Sequence, residues 1–117
     1  MVSQNRGSSV LSITRGEVWL AALEPTIGSE TQKTRPCLIV SPPEMNDHLP
    51  TVIAAPMTTG KRPAPSRIPV RFQGRSGLIL LEQIRALDKR RLVRRLDTIS
   101  RETLSCALAT LQEMFVE

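Results

Sequence analysis

Apolar and polar residues alternate loosely from Glu17 to Leu23, with Val18, Leu20 and Ala22 set to one face, and Glu24-Pro25 ends the run. That is the pattern of a first β-strand. A polar stretch follows, Gly28-Ser29-Glu30-Thr31-Gln32-Lys33-Thr34-Arg35-Pro36, and opens into Cys37-Leu38-Ile39-Val40. The unbroken apolar run predicts a second strand over Pro36 to Ser41, buried on both faces, and Pro42-Pro43 stops it. Glu44 to Leu49 allows one helical turn before Pro50. Thr51 to Met57 reads as a third strand that delivers Thr58-Thr59-Gly60 at its C-terminal end. Lys61 to Ser66 places Pro63 and Pro65 among basic residues, so an extended loop is expected. Ile68 to Phe72 alternates with Pro69 on the outward face, which suits a sheet edge where no ladder donor is needed there.

Gln73 to Gly77 reads as a turn. Leu78 to Leu81 reads as a buried strand that continues through Glu82-Gln83-Ile84-Arg85-Ala86-Leu87, where polar positions beside apolar ones require something polar against them. Asp88 to Arg91 turns, and Leu92 to Leu96 predicts a last short strand. The C-terminal segment is helical: Ser100 is an N-cap, Glu102 suits the positive end of the dipole, and Ile99 with Leu104 has staple spacing. Leu104, Ala107, Leu108, Leu111 and Phe115 then line one packing face. The expected fold is mainly β with a C-terminal α-helix, its short strands and close turns curving into a small barrel. Residues 1–14 lack periodicity and read as a flexible N-terminal arm, leaving 15–117 as a single domain.

With 117 residues, 40% of them apolar, one domain with a modest core is expected. No run reaches the roughly 18 apolar residues of a membrane span, and the N-terminus shows no secretory apolar segment, so a cytoplasmic protein is expected. Cys37 and Cys106 lack metal-type spacing and read as two reduced, buried thiols. The charge changes the picture more than the size does. Sixteen Lys and Arg against eleven Asp and Glu give +5, and the excess is concentrated between Lys61 and Arg95, where Glu82 and Asp88 are the acidic residues. Arginine dominates that stretch, and its planar fork suits phosphate oxygens. A polyanion follows as the expected partner, RNA or DNA ahead of a membrane surface, because no basic amphipathic helix accompanies the charge. Trp19, Phe72 and Phe115 are the aromatic residues, which argues against a base-stacking platform and leaves recognition to phosphate contacts and hydrogen bonds.

A polar loop on a rigid strand is a usual seat of function, which singles out Gly28 to Pro36. The lone His48 lies in a turn, Asn46-Asp47-His48-Leu49-Pro50, and reads as structural. No metal-ligand set, Ser-His-Asp arrangement or phosphate-cradling glycine loop is present in the sequence.

Arg15-Gly16-Glu17-Val18-Trp19, Gly28-Ser29-Glu30 with Arg35-Pro36, Ala54-Ala55-Pro56-Met57-Thr58, and Leu80-Leu81-Glu82-Gln83-Ile84-Arg85 with Leu87-Asp88-Lys89 together resemble the MazF/PemK (Kid) toxins of bacterial toxin–antitoxin systems. The resemblance runs from about Arg15 to Phe115 and is to the MazF-like branch. It implies an SH3-like barrel of the CcdB/Kid/MazF kind and a homodimer. The implied activity is sequence-selective cleavage of single-stranded RNA with no metal or other cofactor. It also implies an antitoxin partner, expected to bring an acidic, disordered C-terminal segment across the same basic groove. Arg35 matches the catalytic arginine and Thr58 the catalytic threonine, while Ser29 and Glu30 match loop positions that touch RNA. Glu82, Gln83 and Arg85 match the substrate face; Gln32, Lys33, Thr59, Lys61, Arg62 and Arg67 complete the expected RNA contacts. Thr31-Gln32-Lys33-Thr34 stands where relatives commonly carry glycine, and the segment Arg62 to Pro69 is unusually rich in proline. The expected reaction is in-line attack by the RNA's own 2′-hydroxyl, leaving a 2′,3′-cyclic phosphate and a 5′-hydroxyl, with Arg35 relieving charge and Thr58 relaying a proton or orienting the phosphate. A CcdB-like gyrase poison and a non-cleaving RNA-binding module are the alternatives on the same fold.

Overall fold

The computed structural model describes residues 12–23 and 34–117. Its strands are β1 (Glu17–Ala22), β2 (Thr34–Ile39), β3 (Thr51–Thr58), β4 (Arg67–Phe72), β5 (Arg75–Leu80), β6 (Arg85–Asp88) and β7 (Leu92–Thr98). A single helical turn, α1 (Pro43–Asn46), follows β2, and α2 (Arg101–Met114) closes the chain. The strands run in the order β4-β5-β3-β2-β1-β7, with β6 also paired to β3. This is the mainly β fold with a C-terminal helix that the pattern predicts, a curved half-barrel sheet. No helix among the described residues is long and apolar enough to cross a membrane.

β3 organises the sheet because its eight residues outrun any one neighbour on its second edge. It pairs β2 along one side, while on the other β6 takes Thr51 to Ala54 and β5 takes Met57 and Thr58. The single strand expected from Leu78 to Leu87 is therefore two, broken by a 3-10 turn at Leu81–Gln83. Leu81 is fully buried at that corner while Glu82 and Gln83 face outward, which accounts for the mixed polarity of the segment. The β4–β5 turn is also shorter than Gln73 to Gly77. Gln73 and Gly74 alone make it, both at positive φ (52° and 79°), and Phe72 pairs Arg75 directly. Two left-handed residues match the twist of a tight hairpin. As expected, β4 forms a sheet edge with Pro69 exposed. β7 runs on to Thr98 and pairs β1, with irregularities between Val18 and Trp19 and between Leu20 and Ala21.

Both sheet faces carry apolar clusters. Val18, Leu38, Ala55, Met57 and Ile79 pack with Ala107 and with Leu104, Leu108 and Leu111 of α2. Trp19, Ala21, Cys37, Ile39, Val52, Ala54, Leu87 and Leu92 fill the other side. β1 thus buries both faces, not only the Val18 face, since one cluster packs on Val18 and the other on Trp19 and Ala21. Ser100 caps α2 by accepting from the Thr103 amide at 3.1 Å. The helical stripe ends before Phe115, which sits at the C-cap with φ −109° and is 72% exposed. Cys37 is buried and Cys106 exposed, both free; the expectation of a buried Cys106 fails because its helical position turns away from the sheet. The expected N-terminal arm falls largely on residues 1–11, outside the described residues, and at its described end Ile13 is buried.

Buried Ser41 and Asn46 make the β2–β3 connection rigid. Ser41 Oγ donates to Asn46 Oδ1 (2.6 Å), Asn46 Nδ2 donates to the Ser41 carbonyl (2.8 Å), and the Ile53 amide donates to Ser41 Oγ (3.0 Å). These bonds satisfy groups that would otherwise be costly to bury, and they hold β2 and β3 in register.

Candidate active site

That register decides where the two expected catalytic residues lie. Cys37 pairs Pro56 and Ile39 pairs Ala54. Two residues further along this antiparallel ladder, Arg35 lies across from Thr58, and cross-strand partners share a sheet face. The side chains meet: Arg35 Nη1 stands 3.4 Å from Thr58 Oγ1. The Gly60 amide also donates to that oxygen at 3.4 Å. A hydroxyl oxygen that receives two donors directs its own proton elsewhere, so Thr58 is set to donate outward.

Outward is a cavity of about 270 Å³ whose wall includes Arg35, Pro36, Thr58 and Thr59 from β2 and β3, and Phe72, Gln73, Arg75 and Gly77 from the β4–β5 hairpin. Arg75 was not among the residues expected from sequence, and it gives the cavity a second guanidinium. The hairpin reaches this position because Gly77 lacks a side chain; a Cβ there would lie 2.7 Å from the Thr58 carbonyl oxygen.

The other expected contacts divide into groups. Arg85 pairs Ala54 on β6, and its field and that of Arg35 both reach the Cys37 thiol, placing the two cations on one side of the sheet. Burial nonetheless pushes that thiol up to about 12, so Cys37 stays protonated and is no nucleophile. Thr59, Lys61 and Arg62 are exposed just beyond Thr58, and Gln83 is exposed on the 3-10 turn. Arg67 and Glu82 are engaged with each other. Arg67 Nη2 and Nε reach Glu82 Oε2 at 2.8 and 2.9 Å, and Ser66 Oγ donates to Glu82 Oε1 at 2.8 Å. Arg67 Nη1 also donates to the Arg62 carbonyl (2.9 Å). The bond from Arg67 holds the Glu82 carboxyl below its ordinary range. This cluster pins the proline-containing loop. It lies at the Arg67–Leu80 end of the hairpin, about 16 Å along the strand from the Phe72–Arg75 end that lines the cavity. Ser29, Glu30, Gln32 and Lys33 lie outside the described residues. His48 is exposed in its turn. Among the described residues no three His, Cys, Asp or Glu side chains gather as metal ligands.

Fold and site together define a small curved-sheet protein with an arginine and a threonine hydroxyl poised on one concave, cationic surface. The family model of the PemK-like, MazF-like toxin of type II toxin–antitoxin systems matches residues 14–115. The Endoribonuclease MazF of Staphylococcus epidermidis is 40% identical over 94 residues, covering 75% of this chain and 78% of that protein. A crystal structure of MazE-MazF from Deinococcus radiodurans superposes with a TM-score of 0.76 at 24% identity, over 87% of this chain and 94% of that one. MazF from the same organism superposes at 0.70 with 26% identity, over 86% and 93%. The chain belongs to the PemK-like, MazF-like toxin family.

Proposed function

We propose that this toxin is an endoribonuclease that cleaves single-stranded RNA by the attack of its own 2′-hydroxyl on the adjacent phosphorus. The observation that carries the reading is the approach of Arg35 to Thr58 on the cavity wall. As the 2′-oxygen bonds to phosphorus and the bond to the 5′-oxygen breaks, negative charge gathers on the non-bridging oxygens. Arg35 and Arg75 face that charge with fixed donors, which act strongly in a partly water-excluded cleft. A guanidinium does not give up its proton at physiological pH, so Arg35 acts as charge and donor, and the outward proton of Thr58 orients the phosphate or passes to the leaving oxygen. Lys61, Arg62 and Arg85, with Ser29, Glu30, Gln32 and Lys33, hold the strand on either side, and Arg67 and Glu82 act by fixing the loop that presents Lys61 and Arg62. Chain 15–117 acts as one domain, and no step requires a metal ion.

The test is incubation of the purified chain with single-stranded RNA in EDTA. Products ending in 2′,3′-cyclic phosphate and 5′-hydroxyl are expected; RNA left intact would refute the reading, and loss of DNA supercoiling by gyrase in its place would move the protein to the poison class. As a toxin of a two-component system it is held by an antitoxin. The basic excess supports an acidic antitoxin segment that competes with RNA, and the exposed Phe115 and Val116 support a homodimer; a monomeric mass in light scattering would remove the dimer.

Gly77 offers an independent check of the site. Gly77→Ala pushes a methyl against the Thr58 carbonyl, and a shift of catalytic geometry by about 1 Å costs on the order of 10²-fold in rate. Folded protein with cleavage reduced to that extent is the expected result, read by single-turnover kinetics alongside far-UV circular dichroism.

A further inference from the structure

β4 sets Arg67, Pro69 and Arg71 on one face, since alternate residues of a strand share a face. The two arginines differ in their partners. Arg67 is paired to Glu82 at 2.8 Å, whereas Arg71 is exposed and donates from Nη1 to the uncharged Ser76 Oγ at 3.1 Å. The serine orients the guanidinium without neutralising it, and most of its N–H donors remain for a ligand. Arg71 is not among the RNA contacts that the family resemblance implies.

The ladder registers join this face to the catalytic pair. Thr58 pairs Leu78, Leu78 pairs Pro69, and Ser76 pairs Arg71, with no register shift in either ladder. The intervening residues Met57, Ile79 and Ile68 are paired with one another and buried in the cluster beneath α2. Thr58, Leu78 and Pro69 therefore point away from the helix, on the face that Arg35 shares with Thr58. Leu78 also lines the cavity. Two strand spacings across and two residues along separate the backbones of Thr58 and Arg71, about 12 Å. Between them Leu78 is half-buried and Pro69 exposed, which leaves a strip of aliphatic carbon open to solvent. Such a strip with an uncompensated guanidinium at its far end suits an extended nucleotide: sugar or base on the carbon, phosphate on the fork.

We propose that the RNA strand leaves the cavity across Leu78 and Pro69, and that Arg71, oriented by Ser76, holds a phosphate further along the strand than the scissile one. The proposal rests on the endoribonuclease reading. It concerns binding, so uncleavable RNA tests it separately: loss of catalysis in the EDTA assay refutes that reading, whereas unaltered binding by the variant below refutes this one alone.

The probe is a random-sequence 2′-O-methyl RNA dodecamer, with affinity measured by fluorescence anisotropy over a range of salt concentrations. Arg71→Ala is expected to weaken binding about tenfold, the size of one lost charge-assisted contact, and to flatten the slope of log K against log salt by about 0.7, one single-strand phosphate. Arg71→Lys keeps the charge and is expected to restore the slope. Arg101→Ala, an exposed change at the start of α2, is expected to leave affinity within about twofold. Unchanged affinity for Arg71→Ala, an equal loss for Arg101→Ala, or a slope that Arg71→Lys fails to restore would overturn the proposal. So would a loss confined to a glutamate-rich dodecapeptide, which would give the strip to an acidic polypeptide instead.

Discussion

Arg35→Ala is expected to fold normally and to lose RNA cleavage by roughly 10²- to 10³-fold, the usual cost of removing one preorganised donor from a developing anion. The fold survives because Arg35 is only half-buried on β2, and among the described residues its one side-chain bond is the long contact to Thr58, whereas the β2 register rests on Cys37, Leu38 and Ile39. Arg35→Lys separates charge from geometry. The ammonium keeps the positive charge but not the two-pronged donor that meets two phosphate oxygens at once, so it should recover only part of the loss. Single-turnover rates at saturating RNA read the effect on the chemical step, and circular dichroism with thermal melts reads the fold. Near-normal cutting by Arg35→Ala would end the assignment, and full activity in Arg35→Lys would reduce the arginine to a source of field.

Much of the architecture was legible because prolines and glycines mark the ends of apolar runs. Pro42-Pro43 closes β2, Pro50 precedes β3, and Ser100 opens α2. The division of Leu78 to Leu87 into β5 and β6 was not legible, since nothing local distinguishes a corner from a strand. The break is imposed by β3 taking two partners on one edge. Gly77 misled for a related reason: a glycine near Gln73-Gly74 reads as turn, yet it is a strand residue kept small by the Thr58 carbonyl. The pairing of Arg35 with Thr58 came from family resemblance, while the β2–β3 register supplies its physical cause. Nothing in the sequence marks Arg75, because a turn arginine reaches the cavity wall only once the hairpin folds beside β3. Glu82 was assigned to RNA from its position in the resemblance, but its carboxylate is held by Arg67 and Ser66.

The largest effect should come from changing the substrate. An RNA with 2′-deoxyribose on the 5′ side of the scissile phosphate lacks the attacking oxygen, and one with a 2′-O-methyl group there has that oxygen blocked. Both are expected to resist cleavage completely at that bond, while bonds elsewhere in the strand remain cleavable. The prediction follows from the proposed reaction, in which Arg35, Thr58 and Arg75 stabilise charge or donate a proton, while the buried Cys37 thiol stays protonated and is no nucleophile, so the attacking oxygen is the RNA's own. Binding should survive the change, since the phosphates that meet the basic residues are untouched, so competition with unmodified RNA distinguishes a blocked reaction from a lost complex. Cutting at the modified bond would require an external nucleophile, water or a protein side chain, and would yield an end without a cyclic phosphate. That product would overturn the cyclising mechanism while leaving Arg35 and Arg75 their role as the charge facing the phosphorane.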